Sequence, residues 1–329
     1  MKIDRIPDIR PDSPGTPVTL KKVGNIFEVR YMKITHGSPI QKLDKDHGVD
    51  LRTGELIEFK HNLNRSEDTA SVAQSLKRLR DLINANLTDP RKALWVTLTY
   101  EENMTDPKRL YQDYRRFWQR LSYYLEKRGL PSAEYIIAAE PQGRGAWHLH
   151  CLFLFPCKAP FIPNSDIERM WKNQKKDHGK GFTKTKGLTG IDNPGLYLTA
   201  YLGDMELNEA IAAGNAKGHI SQKDTEDEHG NHQKKAIVKG ARMHLYPSGF
   251  NLYRCSRGIK KPISYSITEG EAMAIIGDAP LTYEKTFGII NEEGEHTNFI
   301  NFRQYNISRR VNKYGSGNFF GEAAPSAEG

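Results

Sequence analysis

Apolar residues recur along this chain at two spacings, and the switches between them predict its elements. Between Ser66 and Asn86, Val72, Leu76, Leu79 and Ile83 fall three or four apart, the stripe of an amphipathic helix. Lys92 to Tyr100 is instead a β-branched and aromatic run, a strand. Helical spacing returns from Pro107 to Arg128 through Leu110, Tyr114, Phe117, Leu121 and Leu125, and Gly129 ends it. Two apolar runs then flank Pro141-Gln142-Gly143-Arg144-Gly145, the pattern of a β-hairpin. A short helix around Ser165 to Gln174 and a strand around Gly181 to Leu188 follow. The order β-α-β-β-α-β predicts an α+β fold: a split ferredoxin-like, palm-type antiparallel sheet with helices packed on its faces.

The flanking sequence divides by composition. Residues 1–17 are polar and Pro-rich, predicting a disordered N-terminus. Residues 18–90 form an N-terminal extension carrying the basic helix, and 91–205 form the core. Residues 206–308 combine a charged insertion with a basic, β-rich extension, and 309–329 form a disordered tail. Within the insertion, the tract SQKDTEDEHGNHQKK reads as a surface loop.

Candidate chemistry concentrates on the hairpin. Strand side chains alternate faces, so His148 and His150 point the same way with Leu149 opposite. A turn centred near Arg144 sets Glu140 across from His148. Two imidazoles and a carboxylate on one face suit a divalent cation with open coordination positions. A half-buried strand with satisfied histidines shows the same pattern, and spacing alone leaves both readings open.

A second focus is DNPGLYLTAYLGDM (192–205). Asp192 or Asn193 can cap a helix with Pro194 in its first turn, and Tyr197 and Tyr201 then share one side. Those tyrosines suit either packing or chemistry. Further on, Arg254 to Pro262 (RCSRGIKKP) is densely basic beside Tyr253 and Tyr265, suiting a solvated loop or a phosphate and base contact.

The whole chain of 329 residues carries 48 Lys and Arg against 40 Asp and Glu, a net +8, with a pI near 9.2. A polyanionic partner is the expectation. A mean hydropathy of -0.66 and the lack of a long apolar run predict no membrane association. The polar start is no signal peptide, and three unpatterned cysteines favour a reducing compartment, the cytoplasm.

Three segments in order, LWVTLTY (94–100), WHLHCLFLF (147–155) and LYLTAYLGD (196–204), resemble the HUH endonuclease superfamily. More narrowly they are similar to the rolling-circle replication initiators of bacterial plasmids and phages. The similarity extends over about residues 66 to 305. It implies Mg²⁺ or Mn²⁺ on His148, His150 and Glu140, and a nucleophilic tyrosine. Position in the motif favours Tyr197 over Tyr201, and some initiators use two in alternation. It further implies site-specific nicking of single-stranded origin DNA in a bacterial host, with Arg144, Lys184, Lys186, Arg254, Arg257, Lys260 and Lys261 as candidate DNA contacts.

One departure stands out: Ala200 occupies the place where the family usually has lysine. A non-catalytic DNA-binding relative is therefore one alternative. A transposase or relaxase is another, although relaxases commonly place their tyrosine ahead of the histidines. The sequence contains no G-x-x-x-x-G-K-[ST] loop, so strand separation is expected to need a host helicase, with a host polymerase following.

Overall fold

The computed structural model describes residues 2–34, 40–51, 53–59, 69–143, 145–172, 180–188, 190–191, 193–199, 202, 204–212, 220–226, 232–238, 240–247, 249–291 and 294–309. Six strands come first: β1 (Lys2–Ile6), β2 (Pro17–Val23), β3 (Ile26–Met32), β4 (Ile40–Lys42), β5 (His47–Asp50) and β6 (Leu56–Glu58). The middle of the chain holds α1 (Thr69–Asn86), β7 (Ala93–Tyr100), α2 (Pro107–Lys127), β8 (Glu134–Pro141), β9 (Trp147–Leu154), α3 (Asn164–Lys172) and β10 (Lys180–Lys186). Next are α4 (Pro194–Thr199), β11 (Met205–Glu206), α5 (Leu207–Ala212), β12 (Ile220–Glu226), β13 (His232–Val238) and β14 (Tyr253–Cys255). The last elements are β15 (Ile263–Thr268), α6 (Glu269–Ile276), β16 (Leu281–Ile290) and β17 (His296–Asn306). No described helix is long and apolar enough to cross a membrane.

These elements form two compact units. A terminal unit takes in the described residues of 1–34, 189–192 and 262–329, and a central unit those of 35–188 and 193–261. The α+β class is as expected.

In the central unit the main sheet has the order β10-β7-β9-β8-β14, antiparallel throughout. Because β7 and β8 each run against β9, they are parallel to one another with β9 between them and α2 as the crossover. That is the split β-α-β unit. In the same way β9 and β10 flank β7, joined through α3. α2 starts where Asp106 accepts a hydrogen bond from the backbone N–H of Lys108 and Pro107 takes the first turn. It stops ahead of Gly129, whose φ of 62° an L side chain rarely adopts. Its stripe of Leu110, Tyr114, Phe117, Leu121 and Leu125 packs on Val96, Leu98, Leu149, Cys151 and Phe153. The odd-numbered residues of β9 thus serve the core, leaving His148 and His150 on the other face.

The terminal unit is a six-stranded sheet ordered β1-β16-β17-β3-β2-β15. Its α6 begins with a capping box between Thr268 and Glu271. Ala272 and Ile276 of that helix pack on Val18, Leu20, Phe27 and Val29. Arg303, almost fully buried, donates to both carboxylate oxygens of Glu269 at 2.6 and 2.7 Å.

Two expectations are corrected. The first seventeen residues are not all without structure: β1 pairs with β16 over five residues, and the backbone N–H of Ile9 donates to Thr286 Oγ1 at 3.1 Å. The partner strand lies some 280 residues away, so composition carries no trace of it. The tract SQKDTED is likewise no loop, because β12 pairs with β13 from Ile220↔Val238 to Glu226↔His232. A backbone ladder forms there without an alternating apolar pattern to announce it. Of the tail from 309, residues 310–329 lie outside the described residues.

Phe117 is fully buried against the rings of Tyr114, Phe153 and Trp171. Phe117→Ala is expected to cost about 3–5 kcal/mol in urea unfolding; a loss below about 1 kcal/mol contradicts this packing.

Candidate metal centre

The hairpin register sets the site. Glu140 pairs with His148 and Ala138 with His150, so the turn is centred on residue 144. Gln142 N–H donates to the Ala146 carbonyl and Gly145 N–H to the Gln142 carbonyl, each at 2.7 Å. Gly145 adopts φ 87°, where glycine is the residue without strain. Trp147 fixes the exit of the turn by donating from its backbone N–H to Met104 O and from Nε1 to Thr105 O, at 2.9 and 3.0 Å.

Glu140 Oε2 lies 3.0 Å from His148 Nε2 and 2.7 Å from His150 Nε2, and the two nitrogens are 3.0 Å apart. Three ligand atoms converge on one point. Octahedral ligands at about 2.1 Å from an ion are spaced by about 3.0 Å, whereas tetrahedral ones would be spaced by about 3.4 Å. The donors present therefore fit a divalent cation bound on one triangular face, with the remaining positions open. This group can hold a metal ion.

Electrostatics favour the ligand forms. Burial pushes the Glu140 carboxyl up, but the hydrogen bonds and charges of His148 and His150 outweigh it and hold the group well below the usual carboxylate range. For His148, burial is the largest effect and lowers its pKa against the opposing pull of Glu140. An ionised carboxylate facing a neutral imidazole is what a cation requires.

Arg242, which follows β13, donates from Nη1 to Glu140 Oε1 at 2.7 Å. It occupies the oxygen that the histidines do not use, turning Oε2 toward them. Trp95 of β7 stacks on His150, with ring centroids 5.3 Å apart and planes within 9°. Thr97 Oγ1 lies 3.5 Å from His150 Nδ1, at the outer limit of a hydrogen bond. His148 Nδ1 is buried without a hydrogen-bond partner among the described residues.

The other candidate residues are distributed unevenly. Lys184 of β10 pairs with Thr97, which pairs with His150, so Lys184 shares the face of the metal group two strands away. Lys186 pairs with Trp95 and lies on that face too. Arg254 does not: its guanidinium covers the ring of Tyr111 on α2 at 3.5 Å, on the helix side of the sheet. Arg257, Lys260 and Lys261 are exposed after β14, where Asn86 clamps the Lys260 backbone with bonds of 2.9 and 2.8 Å. Arg144, Ala200 and Tyr201 lie outside the described residues.

Tyr197 sits on α4 with its side chain 46% exposed, and no described contact joins it to the metal group. α4 is docked on α1. Asn84 Oδ1 accepts from Gly195 N–H at 2.7 Å, and Asn84 Nδ2 donates to Asn193 Oδ1 at 2.9 Å. Asn193 in turn caps the helix by accepting from Leu196 N–H at 3.1 Å. A Cβ at position 195 would collide with the Arg80 carbonyl and Asn84, so glycine permits this approach. Sequence reading missed Arg242 and Asn84, which carry no local signal. Trp95 and Thr97 were within reach, since alternation along β7 puts both on one face.

Residues 93–206 match the family model described as replication-associated protein ORF2. The match contains Glu140, His148, His150 and Tyr197. Neither a curated protein nor a solved structure matches the chain.

Removing the guanidinium should loosen the carboxylate. Arg242→Ala is expected to weaken Mn²⁺ binding by about 10–100-fold in calorimetry, as loss of a group orienting a ligand does, with Arg242→Lys retaining part of it. Wild-type affinity in Arg242→Ala would show that Glu140 needs no such support.

Proposed function

We propose that this chain is a metal-dependent, site-specific nickase and strand transferase of single-stranded DNA that initiates rolling-circle replication of a plasmid or phage. The observation that carries the reading is the convergence of Glu140, His148 and His150 within the segment matched by the replication-associated family model. These residues would hold Mg²⁺ or Mn²⁺ through Oε2, Nε2 and Nε2. Bound there, such an ion supplies Lewis acidity to a phosphodiester oxygen.

The chain's own residues do the rest. Lys184 and Lys186, on the same sheet face, would hold the phosphates of the substrate strand near the metal group. Arg144, Arg257, Lys260 and Lys261 would extend that contact, and Arg254 through its exposed edge. Tyr197 would be the nucleophile, with Tyr201 as the alternative or as a second one. Its hydroxyl oxygen attacks phosphorus, the bond from phosphorus to the 3′ oxygen breaks, and the tyrosine proton is passed to that oxygen. The products are a free 3′-hydroxyl and a 5′-phosphotyrosine. A phenol of pKa about 10 is a weak nucleophile but a good leaving group, so the link is reversible and the strand can be rejoined. The free 3′ end is a primer for a host polymerase, and a host helicase would open the duplex, in the cytoplasm of the bacterium.

A second reading, DNA binding without cleavage, draws on Ala200 in place of the motif lysine. One assay separates the two. With Mn²⁺ and a labelled single-stranded origin oligonucleotide, the wild-type chain is expected to form a covalent adduct that EDTA and Tyr197→Phe abolish. Salt-sensitive binding with no adduct would favour the second reading. An adduct that survives both Tyr197→Phe and Tyr201→Phe would remove tyrosine from the mechanism.

A further inference from the structure

The terminal unit carries a sheet face that no helix of that unit covers. Along β17, Arg303 and Tyr305 point toward α6: Arg303 bonds Glu269 and Tyr305 donates to Met273 Sδ. Phe302 therefore points away from α6. Cross-strand register extends its row across five strands, from Lys285 through Phe302, Arg30 and Thr19 to Ser266. In the adjoining row, Phe287 pairs with Ile300, and the Phe287 and Phe302 rings meet edge to face at 6.3 Å. The row on the other side runs Gln304, Glu28, Lys21. None of these side chains is fully buried, and Arg30 is exposed.

The composition of this face is specific. Two phenylalanines lie at its middle, with cations directly opposite one of them on both neighbouring strands. Lys285, Arg30 and Lys21 outnumber Glu28. Lys285 Nζ also lies 5.6 Å from the ring centre of Tyr283. A solvent face that only had to stay soluble would not need aromatic rings, and one that only had to join a hydrophobic partner would not flank them with charge. Rings for stacking beside cations for phosphates are what an unpaired nucleic acid strand requires. A duplex fits poorly, because its bases are already stacked on one another and a flat sheet reaches only its backbone.

From this arrangement we infer that the outer face of the terminal sheet is a second binding surface, for single-stranded DNA, centred on Phe302 and Phe287 with Lys285 and Arg30. It lies outside the segment that the family model matches. The choice of DNA over RNA rests on the function proposed above; the stacking surface itself does not. Its role would be to hold a length of single strand separately from the strand held at the metal group.

The test uses the full chain in EDTA, where cleavage plays no part, and reads fluorescence anisotropy of a labelled single-stranded 20-mer and of its duplex. Phe302→Ala and Phe287→Ala are each expected to weaken single-strand binding by about 5–100-fold, the usual loss of one stacked base, with a much smaller effect on the duplex. Thermal melting identifies any variant that fails to fold. Arg30→Glu combined with Lys285→Glu, which leaves the rings in place, should weaken single-strand binding and flatten its salt dependence. Affinities within twofold of wild type in these folded variants overturn the proposal. Equal losses on single strand and duplex overturn its stacking part. Loss of self-association in the variants, with DNA affinity intact, would instead assign the face to a second copy of the chain. Because binding is read without metal, a chain that never forms the covalent adduct can still pass this test, so the two readings fail separately.

Discussion

The site depends on one cross-strand pair, Glu140 opposite His148 in the β8–β9 hairpin. A slip of one residue in that register would turn both histidines into the apolar core and bring Leu149 out. Three features oppose a slip: the Gly145 turn, the burial of Leu149, Cys151 and Phe153 under α2, and the two hydrogen bonds of Trp147 to residues 104 and 105. Packing on one side of the strand thereby dictates chemistry on the other.

A buried carboxylate is costly unless its charge is met. Glu140 has both oxygens engaged, Oε1 by Arg242 and Oε2 by the two imidazoles. The interaction with Arg242 does more than neutralise. It leaves a single oxygen facing the histidines, so the group presents three atoms in a triangle rather than a chelating carboxylate. Trp95 limits the tilt of His150 from the next strand. Lys184 and Lys186 add positive charge on the same face, two strands from the histidines. Cations from the sheet thus stand near the group even though position 200 carries none.

How much of this was legible in sequence follows from the range of each interaction. α2 could be bounded to within a residue because Pro107, the apolar stripe and Gly129 are local signals. The Glu140–His148 pairing was legible for the same reason, since a five-residue turn fixes its own register. β1 and β14 were not. The first is an N-terminal strand held by β16, and the second, Tyr253–Cys255, is a short segment whose ladder partner β8 lies more than a hundred residues earlier. Arg242 was hidden in the same way, one arginine among many until the chain brought it back to Glu140. The basic cluster illustrates the converse: its charge was plain in the sequence, but the β14 register sends Arg254 to the helix side, onto Tyr111.

The most direct measurement is the anomalous diffraction of crystals of the full chain soaked in Mn²⁺. The account predicts a peak about 2.0–2.2 Å from Glu140 Oε2, His148 Nε2 and His150 Nε2, with Arg242 still on Oε1. An occupied Mn²⁺ site elsewhere, with these three atoms bonded only to one another, would contradict it.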